Sequence, residues 1–201
     1  MSLFSNNPAP IYLDLPDAEI IYYPHFFTIA EAHAIYQELL EKIPWQQDPI
    51  KVFGKTHLQP RLTALFGNED KSYSYSNIKM QPHPWNPLLR KINLRLETEI
   101  KHTFTSVLLN LYRDGKDSNG WHSDNEKELG KNPIIASLSF GAERSFHLQH
   151  QTQKNLKHKI ILEHGSLLMM KGTTQAYWKH QIPKTTKPIG ARINLTFRTL
   201  F

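Results

Sequence analysis

Ala191-Arg192-Ile193-Asn194-Leu195-Thr196-Phe197-Arg198 alternates without a break. Ile193, Leu195 and Phe197 fall on one side; Arg192, Asn194, Thr196 and Arg198 fall on the other. That is the two-residue period of a β-strand. A strand on a half-buried sheet turns its polar side to water, and Thr, Lys and Glu are the usual residues there. Two Arg with an Asn between them are a different composition. Two guanidinium forks on one face, about 20 Å apart at most, suit a ligand with a carboxylate at each end. A solvated strand and a ligand-binding strand are both open on this stretch alone.

The same character extends upstream. Short apolar runs follow one another at Thr105–Arg113, Pro133–Gly141, Ser145–His150, His158–His164, Leu167–Lys171, Trp178–Ile182 and Ala191–Thr199. Gly115, Gly120, Gly141, Gly165, Gly172 and Gly190 punctuate them. Many short strands separated by turns predict an antiparallel sandwich or barrel over residues 105–201. Before them stand two helices. Thr28 and Glu31 form a capping box for the first, which ends near Lys42, ahead of Pro44. Asn86-Pro87 opens the second, with Leu88, Ile92, Leu96 and Ile100 as its apolar stripe. Glu19–Phe27 reads as a strand. Residues 1–18 hold Pro8, Pro10 and Pro16 and read as an irregular arm. Lys51–Ser76 has weak periodicity and many basic and aromatic residues, as functional loops or hairpins do. The fold class is mainly β with flanking helices (α+β), in one domain of 201 residues.

Composition sets limits. There is no Cys, so disulfides, thiolate metal sites and a cysteine nucleophile are excluded. Mean hydropathy is −0.50, and no run approaches the ~18 apolar residues of a membrane span. No secretory signal is evident, which predicts an intracellular protein, cytoplasmic in a bacterium and open to the nucleus in a eukaryote. The formal charge of +6 and the pI near 9.4 favour a polyanionic partner.

Four small constellations carry chemistry. His122-Ser123-Asp124 places an imidazole and a carboxylate two residues apart, on one side of an extended segment. With 11 His and 18 acidic residues in the chain, about one such triplet arises by chance, so alone it carries little. Asn110 and Tyr112 share a face of another strand. His180 lies among aromatic residues, where a packed histidine is the commoner case. Arg192 to Arg198 is the fourth. In order they give H-x-D, a His 58 residues later, and an Arg 12 residues after that. Two imidazoles and one carboxylate bind one face of Fe(II) and leave three positions open. A bidentate 2-oxo acid takes two of these, and its far carboxylate needs an Arg.

The sequence resembles the AlkB family of Fe(II)/2-oxoglutarate-dependent nucleic-acid dealkylases over about residues 50–201, and in particular its eukaryotic-type DNA repair branch. The resemblance rests on Pro60-Arg61, Tyr73-Ser74-Tyr75-Ser76, Gln81-Pro82-His83-Pro84-Trp85 and Asn110-Leu111-Tyr112-Arg113, then on Trp121-His122-Ser123-Asp124-Asn125-Glu126, the run Pro133–Gly141 and Arg192–Arg198. It implies a double-stranded β-helix (jelly-roll) with outer helices and a nucleotide-recognition lid over residues 50–80. It implies that His122, Asp124 and His180 bind iron and serve catalysis. Asn110, Tyr112, Arg192, Asn194 and Arg198 would hold 2-oxoglutarate, with the assignment of each Arg to a carboxylate left open. The implied reaction uses O2 and 2-oxoglutarate to demethylate 1-methyladenine and 3-methylcytosine in DNA and RNA, and releases formaldehyde, succinate and CO2.

Tyr75 matches the family's base-stacking position, Tyr73 its hydrogen-bonding one, and Glu126 an acid at the base edge. Phe53, before Gly54 and between Lys51 and Lys55, resembles the finger of the duplex-preferring relatives. Leu58-Gln59-Pro60-Arg61-Leu62-Thr63 looks more like the single-strand branch, so the lid is mixed and leans toward duplex DNA. Arg61, Arg113 and Lys116 are candidates for backbone contacts. A monomer without membrane association is expected. Two other readings compete: a 2-oxoglutarate oxygenase of a protein or small molecule, and a nucleic-acid-binding module without catalysis.

Overall fold

The computed structural model describes residues 9–52, 55–68, 73–75 and 78–201; at 50–52, 55, 73–75 and 78–80 only the backbone is described. The chain opens with β1 (Ile11–Leu13), β2 (Glu19–Tyr23) and α1 (Ile29–Lys42). Then come β3 (Pro49–Val52), β4 (Lys55–Leu58), β5 (Leu62–Gly67), β6 (Tyr73–Tyr75), β7 (Ile78–Met80) and α2 (Pro87–Ile100). The second half holds β8 (Ser106–Tyr112), β9 (Asn119–His122), β10 (Ile135–Gly141), β11 (Arg144–His150), β12 (Lys157–Leu162) and β13 (Ser166–Lys171). A single helical turn, α3 (Thr174–Tyr177), leads into β14 (Trp178–Ile182), and β15 (Arg192–Arg198) closes the chain.

Two antiparallel sheets face each other. The larger has seven strands in the order β1-β2-β13-β10-β15-β8-β5; the smaller has four, β12-β11-β14-β9. Apart from the neighbours β1-β2 and β11-β12, adjacent strands are distant in sequence, as in a jelly roll. The hairpins β3-β4 and β6-β7 stand outside them.

Both helices begin as their sequences dictate. Thr28 Oγ1 accepts from Glu31 N (3.3 Å), and Glu31 Oε2 accepts from Thr28 N (2.9 Å), so the capping box is complete. Asn86 Oδ1 accepts from Leu89 N (2.8 Å), with Pro87 in the first turn. Leu89, Ile92 and Leu96 are the buried stripe of α2, while Leu88 and Ile100 are only partly buried. They pack with Leu39 of α1 against Leu109, Leu138, Ile193, Leu195 and Phe197 on the outer side of the large sheet. Each fully buried Leu or Phe here contributes about 1.5–3 kcal/mol.

The second apolar cluster lies between the sheets and includes Leu108, Phe146, Leu148, Leu168, Met170, Trp178 and Ile182. Hence β15 is buried on both sides. Its apolar side meets the helices, and its polar side faces the space between the sheets, with Arg192 at 1% and Arg198 at 3% exposure. The polar row of β15 is not a solvated one.

Three expectations change. The strand expected over Glu19–Phe27 stops at Tyr23, because Pro24 has no N–H to continue the ladder; Phe26 and Phe27 turn into the helix-side core instead. The irregular arm contains β1, which pairs with β2 along Ile11↔Tyr22 and Leu13↔Ile20. The segment expected as loops or hairpins overlaps the hairpins β3-β4 and β6-β7, but it also contributes β5 to the large sheet, paired with β8 from Leu62↔Leu111 to Gly67↔Ser106. Gly141, the last residue of β10, has φ +89°; a Cβ there would run into Ala191 O and the Tyr36 ring.

Candidate active site

The register of the small sheet brings the two histidines together. His122 at the end of β9 and His180 in β14 are direct cross-strand partners, with ring centroids 4.3 Å apart. Asp124 follows two residues after the strand. Its Oδ2 lies 3.9 Å from His180 Nε2, and the ligand atoms of all three residues lie within 4.8 Å of one another. Among the described residues this is the one such group of three. The jelly roll thus closes a 58-residue gap in sequence to a single cross-strand pair.

Each ligand is held in a defined state. His122 Nδ1 lies 2.7 Å from Gly120 O, an acceptor, so Nδ1 carries the proton and Nε2 keeps its lone pair. The His180 ring stacks on Phe146 (5.1 Å, 26°). Burial first, then the neighbouring His122, pushes His180 down to about 3, so the ring is neutral at pH 7. Burial alone would raise Asp124; Arg198 foremost, then His180 and His122, bring it down to about 2 instead. Arg198 Nη2 donates to Asp124 Oδ1 at 2.7 Å. Asp124 N donates to Oε1 of Gln175 (2.9 Å), a residue that is itself 1% exposed. Two neutral imidazoles and one ionised carboxylate on one side of a cavity are the donor set for Fe(II) with open positions.

The remaining cavity wall is polar. Asn110, Tyr112, Arg192, Asn194 and Arg198 line the same cavity as His122, Asp124 and His180. Arg192 Nη2 donates to Ser139 Oγ (2.8 Å), and its guanidinium lies 5.2 Å from the Tyr112 ring centre. Its Nε and Nη1 are buried without a hydrogen-bond partner among the described residues. Burial brings Arg192 down to about 10, against the opposing pull of Tyr112. A buried cation with two idle donors is costly by itself and fits an incoming carboxylate. Asn194 Nδ2 donates to Ser137 Oγ (2.8 Å) and Leu138 O (3.0 Å), and Asn110 Nδ2 donates to Asn194 Oδ1 (3.4 Å). Iron and a 2-oxo diacid therefore both fit the residues present.

Other expected site residues fall elsewhere. Arg61 is 4% exposed; its Nε donates to Asn110 Oδ1 (2.7 Å) and its Nη1 to Ser118 O (3.3 Å). Instead of reaching out to a nucleic-acid backbone, it braces Asn110 from behind. Arg113 makes a two-pronged pair with Asp117 (2.8 and 2.9 Å), and Lys116 is exposed. Glu126 is half-buried and begins a turn at Lys127–Leu129, outside the cavity lining. Tyr73 and Tyr75 lie in β6, opposite Met80 and Ile78. Phe53 lies outside the described residues.

The sequence reading missed Gln175, and also Asn119, Ser137, Phe146 and Met170 of the lining. Ser137 had a signal: it occupies the inward parity of β10, two residues from Ser139. Gln175 had none, since it acts from an isolated helical turn on a residue 51 positions away.

A jelly roll with this triad and a buried, half-satisfied arginine defines an iron- and 2-oxo-acid-dependent oxygenase. Comparison with known proteins agrees. The model of the 2OG-Fe(II) oxygenase superfamily matches residues 19–198. Human alpha-ketoglutarate-dependent dioxygenase alkB homolog 3 is 45% identical over 193 residues, 92% of this chain and 67% of that protein. Human DNA oxidative demethylase ALKBH2 is 37% identical over 89% of this chain and 72% of that protein. The solved structure of OsALKBH1 superposes with a TM-score of 0.66 at 18% identity, covering 90% of this chain and 97% of that one, a likeness of fold. The chain belongs to the AlkB family within the 2OG-Fe(II) oxygenase superfamily. It is a dioxygenase that uses Fe(II), 2-oxoglutarate and O2, and it spans about two thirds of the length of its alkB homolog 3 relatives. No helix among the described residues is long and apolar enough to cross a membrane.

Proposed function

We propose that the protein removes methyl groups from 1-methyladenine and 3-methylcytosine in DNA, and in RNA, as a direct-reversal repair enzyme. The observation that carries this reading is the assembly of His122, Asp124 and His180 against Arg198, with Arg192 idle at the far side of the same cavity. The names of the relatives, one of them a DNA oxidative demethylase, and the pI near 9.4 support nucleic acid as the substrate.

His122, Asp124 and His180 would hold the iron, each through one ligand atom. Bound there, iron supplies the oxidation of the N-methyl carbon by O2, coupled to conversion of 2-oxoglutarate to succinate and CO2; the oxidised carbon leaves as formaldehyde. Arg198 keeps Asp124 ionised and aligned, and its contact with the triad supports a role at the chelating end of 2-oxoglutarate. Arg192, with two free donors, takes the far carboxylate. Tyr112, Asn110 and Asn194 complete that cradle. Apolar walls from Leu108, Phe146, Met170 and Ile182 keep water away.

Tyr75 stacks on the flipped base, Tyr73 hydrogen-bonds to it, and Glu126 favours a cationic base over a neutral one. Arg113 approaches the backbone from the rim. Strand β3 pairs with β4 up to Val52↔Lys55, and Phe53 and Gly54 are the two residues between. Phe53 gives the preference for duplex, and the enzyme acts as a monomer.

Mass spectrometry of methylated single- and double-stranded oligonucleotides, incubated with Fe(II), 2-oxoglutarate and ascorbate, tests the reading. Loss of the methyl group with release of formaldehyde is expected. Turnover of 2-oxoglutarate without any change in the oligonucleotides would point to a protein or small-molecule substrate instead.

A further inference from the structure

The outer face of the small sheet has a composition that the reaction does not use. In β9, β11, β12 and β14 there is no Asp or Glu at all. Inward positions of these strands hold His122, His180, Phe146, Leu148 and Trp178; the alternate positions face out. Gln149 of β11 pairs with Lys157 on one side and Lys179 on the other. One step along, His147 pairs with Lys159. Directly paired residues of an antiparallel ladder share a face. Lys157, Lys159 and Lys179 therefore stand on one flat surface, all exposed.

No ion pair engages any of these three lysines among the described residues. Glu143 and Glu163, just outside the strands, lie at the end of the sheet where Arg144 pairs with Leu162, about 17 Å along the strand from Lys157. Asp17 reaches His150, which is an inward residue. The face is thus cationic without internal neutralisation, although like charges on neighbouring strands repel.

The edge of this sheet joins the face to the active site. β9 is the outermost strand. His122 belongs to the triad, and the preceding residue, Trp121, lies where β9 bulges against β14 and is 43% exposed. An exposed indole beside lysines is the surface on which bases stack while their phosphates meet cations. Across the ladder, β14 with Lys179 is one strand from β9, and β12 is three strands away, about 5 and about 14 Å.

We propose that, on single-stranded substrates, Trp121, Lys157, Lys159 and Lys179 form a platform for the strand flanking the base under repair, which rounds the β9 edge from the cavity to the outer face. This deepens the base-demethylase reading and rests on it. Base chemistry stays with the cavity; the platform adds affinity that grows with chain length and falls with salt.

The test uses the full chain and a fluorescent, unmethylated 20-nucleotide single strand, whose binding needs no turnover, alongside turnover of a methylated trinucleotide too short to reach the lysines. In Lys157→Gln/Lys159→Gln/Lys179→Gln, the slope of log K against log[salt] becomes shallower by about 2, since each lost single-strand phosphate contact removes about 0.7. Affinity at low salt falls at least tenfold, and trinucleotide turnover stays at the wild-type level, which also reports an intact fold. The triple Lys→Arg variant keeps wild-type binding, and Trp121→Ala weakens binding without changing the salt slope. Unchanged 20-mer affinity and slope in the triple Gln variant would overturn the platform while leaving demethylation standing. If the wild type leaves the trinucleotide methylated yet the triple Gln variant still loses 20-mer binding, the base-repair reading alone fails.

Discussion

Arg192→Met separates ligand affinity from stability, and moves them in opposite directions. Arg192 is 1% exposed, Ser139 Oγ takes one of its donors, and Nε and Nη1 have no hydrogen-bond partner among the described residues. In the ligand-free protein this charge is a burden, which its fall to about 10 under burial records. Methionine fills a similar volume without a charge. Replacing buried ionic groups by apolar ones of like size often stabilises by about 1–4 kcal/mol. For a chain of this size each kcal/mol raises the Tm by about 2–4 °C. With 2-oxoglutarate bound, the balance reverses. The far carboxylate would then be buried without its cation, which costs about 2–5 kcal/mol. The Kd for 2-oxoglutarate rises by about 30- to 4,000-fold. The assays are thermal melts of the metal- and ligand-free protein, and calorimetric titration of 2-oxoglutarate in the presence of Mn(II). A lower Tm, together with a Kd within about threefold of wild type, would make Arg192 a structural residue and refute the reasoning.

Three further predictions follow from individual contacts. His180 is held at about 3, chiefly by burial, while the unfolded chain takes up this proton near pH 6.5. The native state refuses a proton that the unfolded state accepts, so metal-free stability falls as pH drops from about 6.5 towards 3, by up to about 1.4 kcal/mol per pH unit. His180→Gln flattens that limb in denaturant melts at stepped pH; an unaltered slope argues against a neutral, buried ring. Gln175→Leu strands the buried Asp124 N–H at a cost of about 1–3 kcal/mol and weakens Mn(II) binding, both read by melts with and without the metal; a variant with wild-type melting and metal affinity would deny Gln175 its positioning role. Phe53→Ala lowers repair of duplex more than of single strand, and equal losses on the two would exclude a finger at the β3-β4 hairpin.

Local rules made the helices readable. Thr28 and Asn86 announce both starts, and the structure uses both caps. Alternation in β15 was equally plain, but alternation cannot say which face is wet. Helices cover the apolar side of β15 and the small sheet covers the polar side, and that is a property of the whole fold. β5 escaped for a related reason: five of its six residues are buried, so it lacks the polar–apolar rhythm of a half-exposed strand. In the N-terminal arm the prolines masked Ile11–Leu13, a proline-free triplet short enough to serve as a sheet edge.

At the site, the residue types of the triad were legible, and their order suggested one iron site, but only the family resemblance assigned H-x-D and His180 to it. Their meeting depends on β9 pairing with β14, a register that no local pattern encodes. Arg61 shows the converse limit. A basic residue in a basic, aromatic stretch reads as a surface contact, but here its neighbours are Asn110 and Ser118 O inside the protein.

A crystal grown with Mn(II) and 2-oxoglutarate, examined by anomalous scattering at the manganese edge, addresses the heart of the account. One metal peak bonded to His122 Nε2, an Asp124 carboxylate oxygen and His180 Nε2 is expected, with the distal carboxylate of 2-oxoglutarate on Arg192. A metal bound elsewhere, or a 2-oxoglutarate whose far end ignores Arg192, would contradict it.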